Sequence, residues 1–316
     1  MPNNDSRSPE HYVAPLDETP LLVIDKVDEN AKPSNLWLDA WRSLRHSPIF
    51  WISSSMILFI LFVGLFPFLF TNEPPNNKCD LDNSNGGPEA GHPFGFTKLG
   101  CDVFARVVYG AQPSLTVGIT ATLLVVIVGV ILGALAGFYG GFFDTIISRV
   151  GDMFFAIPVV LGAIVLMQTL SGTRNALTVA LILSIFAWPQ VARITRGAVL
   201  SAKNSDYVTA SIALGVTRFR VLMRHVLPNS LAPVIVVATV SLGTFIVAEA
   251  TLSYLGVGLP SSVMSWGNDI SQAQSSIRTA PQTLLYPAGA LSLTVLSFLM
   301  LGDVVRDALD PKARAR

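Results

Sequence analysis

The chain is predicted to be an all-α polytopic membrane protein with six transmembrane helices. Three observations carry this expectation. Of its 316 residues 51% are hydrophobic and only 13% charged, with a mean hydropathy of +0.54, whereas soluble domains are about one-quarter charged. The apolar residues are gathered into runs near the 20 residues that cross a bilayer as a helix. The 21 Lys and Arg residues also divide unevenly: five (Lys78, Lys98, Arg106, Arg174 and Arg278) fall on one side of the spans and the other sixteen share a side with both termini. The positive-inside rule makes that second side cytoplasmic. A multi-pass protein of the cell membrane, with both termini cytoplasmic, is therefore expected. Nucleic-acid binding has no support, because no soluble basic face is interleaved with aromatics.

Residues 1–35 are polar and lack a short apolar core with a small-residue cleavage site, so they read as a disordered cytoplasmic tail rather than a secretory signal. Residues 36–48 spell an amphipathic interfacial helix, with Leu36, Trp37, Ala40, Trp41 and Leu44 in one stripe. The first span is expected over 49–70, and a polar exported loop rich in Pro, Gly and Asn over 71–112. Residues 113–316 form the core. Its further spans are expected at Pro113–Tyr139, Met153–Leu170, Ala176–Val199, Ser230–Leu252 and Leu284–Leu301, before a polar, basic tail. Gly129, Gly133 and Gly137 recur every four residues in the second span, a spacing that lets helix backbones touch.

The exported loop holds both cysteines, Cys79 and Cys101. Their placement on the oxidising side favours a bridge over two unrelated thiols. It would close a loop of about 22 residues, worth roughly 3 kcal/mol if unstrained.

Residues 204–229 interrupt the hydrophobic pattern. Lys203, Asp206, Arg218, Arg220 and Arg224 would each cost about 3 kcal/mol at a bilayer centre, so the segment stays in water. Ser205 or Asp206 can cap a short helix, Gly215 can end it, and Thr217 can cap a second helix running to a break at Leu227-Pro228. On the first helix Tyr207, Ala210 or Ser211, and Leu214 share a face whose small centre admits another protein surface. The bland alternative is an amphipathic helix lying on lipid.

Tyr207-Val208, Ala210, Gly215 and Arg224-His225-Val226-Leu227-Pro228-Asn229 resemble the EAA loop of binding-protein-dependent ABC importer permeases, in the dipeptide, oligopeptide and nickel branch. Ser211 replaces a usual Ala, and Thr209 stands where the general motif has Glu. Other stretches are similar to the same branch: His92-Pro93-Phe94-Gly95 through Asp102-Val103, Gly140-Gly141 through Asp144, Ala248-Glu249 through Gly256, Ser265-Trp266-Gly267, and Gly302-Asp303 through Asp310-Pro311. Cys101 occupies a position where that branch usually has Arg.

The resemblance implies a type I ABC importer permease fold with coupling helices at 204–226, as in the C-type permease of dipeptide importers. It implies a homologous second permease subunit, two ABC ATPase domains and an extracytoplasmic solute-binding protein. The substrate implied is a di- or oligopeptide, with nickel or another small solute as the alternative. ATPase coupling is then assigned to Ser205, Asp206, Tyr207, Ala210, Ser211, Leu214, Gly215, Arg218 and Arg220, with Arg218 and Arg220 contacts expected to stiffen the lever.

This chain lacks a Walker loop, so ATP and Mg are expected on the partner ATPases, with no cofactor, metal or catalytic residue of its own. Glu249, near the end of the fifth span, is the one carboxylate within a span and a candidate pathway or outer-gate residue, although a position near a helix end can also reach interfacial water. An ion-coupled secondary transporter would need several such groups and usually internal repeats. A membrane scaffold without transport activity is the remaining alternative.

Overall fold

The structure is a computed structural model that describes residues 36–73, 75–76, 79–169 and 174–309. The expected tail at 1–35 and the final residues 310–316 lie outside the described residues. Eleven α-helices account for most of the described chain: α1 (Leu36–His46), α2 (Pro48–Leu65), α3 (Val103–Tyr139), α4 (Gly141–Phe155), α5 (Val159–Thr169), α6 (Ala176–Lys203), α7 (Asp206–Ala213), α8 (Arg218–Val221), α9 (Leu227–Tyr254), α10 (Trp266–Ala273) and α11 (Gln282–Leu309). Five helical stretches are long and apolar enough to cross a membrane, and six if the bent pair α4–α5 counts as one.

The α3–α6 pair forms the spine. A Cβ on Gly129 would lie 2.6 Å from Val191 Cβ, one on Gly133 2.4 Å from the Ala192 carbonyl oxygen, and one on Gly137 2.9 Å from that of Arg196. Only glycine permits so close an approach, and the dispersion it gains replaces the hydrophobic drive that lipid abolishes. Around this spine Val117, Ala121 and Val125 of α3, Met167 of α5, Leu183 of α6 and Leu252 of α9 make the central core. A second core joins α2, α3, α9, α10 and α11 through Ile57, Leu115, Ile246, Trp266 and Phe298.

Four boundaries depart from the hydropathy reading. Helix α3 begins at Val103, ten residues before Pro113, because both carboxylate oxygens of Asp102 accept N–H groups of the first turn (Phe104 at 3.0 Å, Ala105 at 3.3 Å). Its 37 residues span about 55 Å, longer than a bilayer core, so the early turns escape a hydropathy window. The stretch expected as one span from Met153 is split: α4 and α5 meet at Ala156-Ile157-Pro158 with a bend of 82°. Proline removes the amide that would have continued the ladder. Conversely, Leu227-Pro228 does not break the chain. A π-turn over Leu222–Val226 carries α8 directly into α9, with Leu227 N–H reaching Leu222 O. The wider turn accommodates the missing Pro228 donor, so Arg218–Tyr254 behaves as one long helix. Finally, α11 continues to Leu309 past the apolar run.

Helix α1 buries Ala40 and part of Leu44 against Val236 of α9 and Val305, Ala308 and Leu309 of α11, while Trp37 and Trp41 remain exposed. The expected single stripe therefore divides between protein contact and an outward aromatic surface.

The long connection between α2 and α3 folds as a compact loop closed by the Cys79–Cys101 disulfide. Gly100 has φ +72°, and a Cβ there would sit 1.7 Å from the Asp80 carbonyl oxygen, so the turn beside the bridge requires glycine. Phe94 stacks on Tyr286 of α11 at 3.8 Å and ties the loop to the bundle.

Candidate functional site

The water-exposed segment after α6 is built on a small apolar anchor. Val208 of α7, Val221 of α8, and Leu222 and Val226 of the π-turn are buried against Val199 of α6 and Ala134 of α3. Most of what that anchor holds up is open to solvent. Asp206, Tyr207, Ala210, Gly215, Arg218 and Arg220 are exposed, Leu214 is 83% exposed, and Ser205 and Ser211 are half-buried. Leu214 is the most exposed large apolar side chain among the described residues.

Local chemistry shapes the segment. Ser205 and Thr217 occupy the N-cap positions of α7 and α8 with extended backbones, but neither side chain makes a capping hydrogen bond. Gly215 takes φ +83°, and the following Val216 N–H reaches back to Ser211 O at 3.2 Å, a left-handed closure that suits glycine. The Ser211 hydroxyl turns inward to Tyr207 O at 2.7 Å, and the Tyr207 hydroxyl accepts from Asn229 Nδ2 at 3.3 Å. Tyr207 thus spans from α7 to the start of α9. The expected stiffening by Arg218 and Arg220 is not found: neither side chain has a hydrogen bond or ion pair among the described residues. Both project into solvent, where such contacts are weak. What holds the segment to the bundle among the described residues is the apolar anchor.

Ionic contacts fix the base of this segment to the spanning helices. Lys203, the last residue of α6, donates Nζ hydrogen bonds to Gly137 O (3.0 Å) and Phe138 O (3.4 Å) at the C-terminus of α3. A cation there satisfies orphan carbonyls and complements the negative end of the helix dipole. About two and three turns back along α6, Arg196 grips Asp144 of α4 (Nη2 to Oδ2, 2.7 Å) and Arg193 grips Asp152 (3.0 Å) while lying 4.1 Å over the Phe155 ring. Asp144 and Asp152 are the acidic halves of this α4–α6 clasp.

At the opposite end of the bundle, Glu249 is completely buried rather than reaching interfacial water. Its two oxygens accept from Ser253 Oγ (2.7 Å) and Ser114 Oγ (3.0 Å), and Ser114 also receives Trp266 N–H at 3.4 Å. The carboxylate joins α3, α9 and α10 into a knot and has no exposed surface among the described residues.

Sequence reading missed the neighbouring pair Arg106–Asp269, which is buried between α3 and α10 and separated by 163 positions. Both Nε and Nη2 of Arg106 donate to the same oxygen, Asp269 Oδ1, and Nη1 donates to Asn76 Oδ1. The pair lines a cleft of about 750 Å³ between the disulfide loop, α10 and α11. Asp269 sits in a polar helix with no periodic or motif signal for its partner.

Known proteins resemble this arrangement along almost its whole length. Residues 129–315 match the family model for the binding-protein-dependent transport system inner membrane component, and residues 35–88 match the N-terminal TM domain of oligopeptide transport permease C. The glutathione transport system permease protein GsiD of Shigella flexneri serotype 5b is 37% identical over 302 residues, covering 95% of this chain and 97% of that protein. GsiD of Salmonella typhimurium is 38% identical over 294 residues, covering 93% and 95%. Among solved structures, a chain of the inward-facing MetNI methionine ABC transporter superposes with a TM-score of 0.53 at 21% identity, covering 65% of this chain and 96% of its own. At that identity the likeness speaks to the fold alone.

Proposed function

Because this chain belongs to the family of binding-protein-dependent transport system inner membrane components, and is a permease subunit of a peptide-type ABC importer, we propose that α7 and the turn after it form its coupling element. One observation carries the reading. The segment is exposed along its outward face, yet rooted by Val208, Val221, Leu222 and Val226 in the ends of α3 and α6. A lever must be accessible where force enters and rigid where it leaves.

In this reading the tails and α7 face the cytoplasm, and two ATPase domains bind ATP and Mg there. Their closure pushes on Tyr207, Ala210, Leu214 and Gly215. The α7 base moves with the cytoplasmic ends of α3, α4 and α6, because Lys203 and the two Arg–Asp clasps hold them together. A homologous permease completes the path, and an extracytoplasmic solute-binding protein delivers a short peptide, a class to which the glutathione of the named relatives belongs. This chain contributes no catalytic group.

Replacing Ala210 by Glu or Gly215 by Val should leave the complex assembled and uncouple transport from hydrolysis. The first puts a charge at the contact face, and the second puts a β-branched residue at a positive φ. Peptide uptake and ATPase activity of reconstituted complexes measure this. Normal uptake by both variants would sink the assignment.

A further inference from the structure

The cleft at the loop end carries chemistry that the coupling mechanism does not use. Asp269 is 93% buried, and both guanidinium donors of Arg106 converge on its Oδ1, leaving Oδ2 without a hydrogen-bond partner among the described residues. A buried carboxylate oxygen left bare is costly and calls for a donor. Ser276 Oγ is a second buried polar atom with no partner among the described residues, and it lines the same cleft. Asp269, Gln272, Ala273 and Ser276 are spaced as one face of α10 and its following turn. The facing wall carries a cation: Lys98 Nζ lies 3.4 Å from Ser275 Oγ. Ser275 stands six positions after Asp269, which sets its Cα about 9 Å further along the helix axis. An extended tripeptide separates its charged ends by about 10 Å.

We propose that this cleft binds a short zwitterionic peptide, its free ammonium donating to Asp269 Oδ2 and its carboxylate meeting Lys98. The inference rests on the peptide-import reading and adds to it a subsite within this single chain. Val103, Ala273 and Pro287 supply an apolar wall indifferent to side-chain identity, while Ser276 and Thr283 offer hydrogen bonds to the peptide backbone. Charge at both ends makes the site selective for free termini and for length.

The test is direct binding of trialanine to the importer complex in nanodiscs, without its solute-binding protein. Trialanine should bind, and N-acetyl-trialanine should bind roughly 10- to 100-fold more weakly, the worth of a charge-assisted hydrogen bond. Asp269→Asn keeps an oxygen acceptor for Arg106 but removes the carboxylate charge and puts an NH2 where the bare oxygen was, so in folded protein it should bring trialanine down to the acetylated level. Lys98→Met should remove the preference for trialanine over its C-terminal amide. If Asp269→Asn fails to fold, the acetylated and amidated peptides on the unmodified complex decide. Equal binding of free and acetylated peptide, or unchanged binding by Asp269→Asn, would overturn the site. So would no binding up to about 10 mM by a complex that still imports peptides, and that result would spare the import reading. A complex whose ATPase responds to its binding protein but which imports no peptide would overturn the reading itself.

Discussion

Asp269 and Asp144 are both paired with arginine, yet they should respond to substitution very differently. Arg106 and Asp269 are buried together, so Arg106→Ala or Asp269→Ala leaves an uncompensated charge and should cost about 3–5 kcal/mol. Thermal unfolding of the detergent-solubilised protein would register it as a markedly lower midpoint. Asp144 and Arg196 are each partly exposed, and Asp144→Asn should cost no more than about 1 kcal/mol in the same measurement. Its effect belongs in uptake, through a looser α4. Individual residues were the least legible level in the sequence. Cys79 and Cys101 could be paired by compartment, but nothing local announces that Arg106 finds Asp269, or that Glu249 finds Ser114 across 135 positions. Hydropathy also placed Glu249 near water, because a one-dimensional profile cannot see α10 folding back over the end of α9.

The helices were far easier to anticipate, since each apolar run is long and lipid leaves the backbone few alternatives. The glycines at 129, 133 and 137 could be read as a contact stripe, although not that α6 was the partner. Gly133→Val should drive α3 and α6 apart and lower the unfolding midpoint sharply, since even a Cβ would meet a backbone oxygen at 2.4 Å. Gly197→Ala, on the open face of α6 with nothing within 4 Å, should be neutral or stabilising by about 0.5–1 kcal/mol. Comparing the two unfolding midpoints separates crowding from helix propensity. The breaks were less legible than the spans. Pro158 and Pro228 look alike in sequence, yet one bends the chain by 82° and the other is absorbed by a π-turn. Which outcome prevails depends on neighbours that accept or refuse the freed carbonyl, a tertiary matter.

Across the whole molecule, the α7 segment, the α3–α6 spine and the disulfide loop lie in series from one end to the other. Lys203→Met should spare assembly but lower the ratio of peptide imported to ATP hydrolysed, because α7 would lose its hold on the end of α3. Assaying both quantities in one proteoliposome preparation tests this. Cys79→Ser should leave the bundle folded and the loop open, at a cost of about 3 kcal/mol, with cleavage of residues 80–100 by added protease as the measurement. The class of fold followed from composition, and the six expected spans answer to five long apolar helices and the bent α4–α5 pair. The end-to-end connections did not, because they depend on side chains brought together only once the helices have packed.

The bend between α4 and α5 has a consequence for the surrounding bilayer. The 11 described residues of α5 rise about 16 Å, roughly half the thickness of a hydrocarbon core near 30 Å. Acyl chains beside this helix must either shorten locally or be displaced by a neighbouring subunit. Turnover in vesicles should therefore fall as lipid tails lengthen from 14 to about 22 carbons, each added increment of thickness raising the mismatch energy. The membrane becomes in effect a spring set against the hinge, with lipid composition tuning its load.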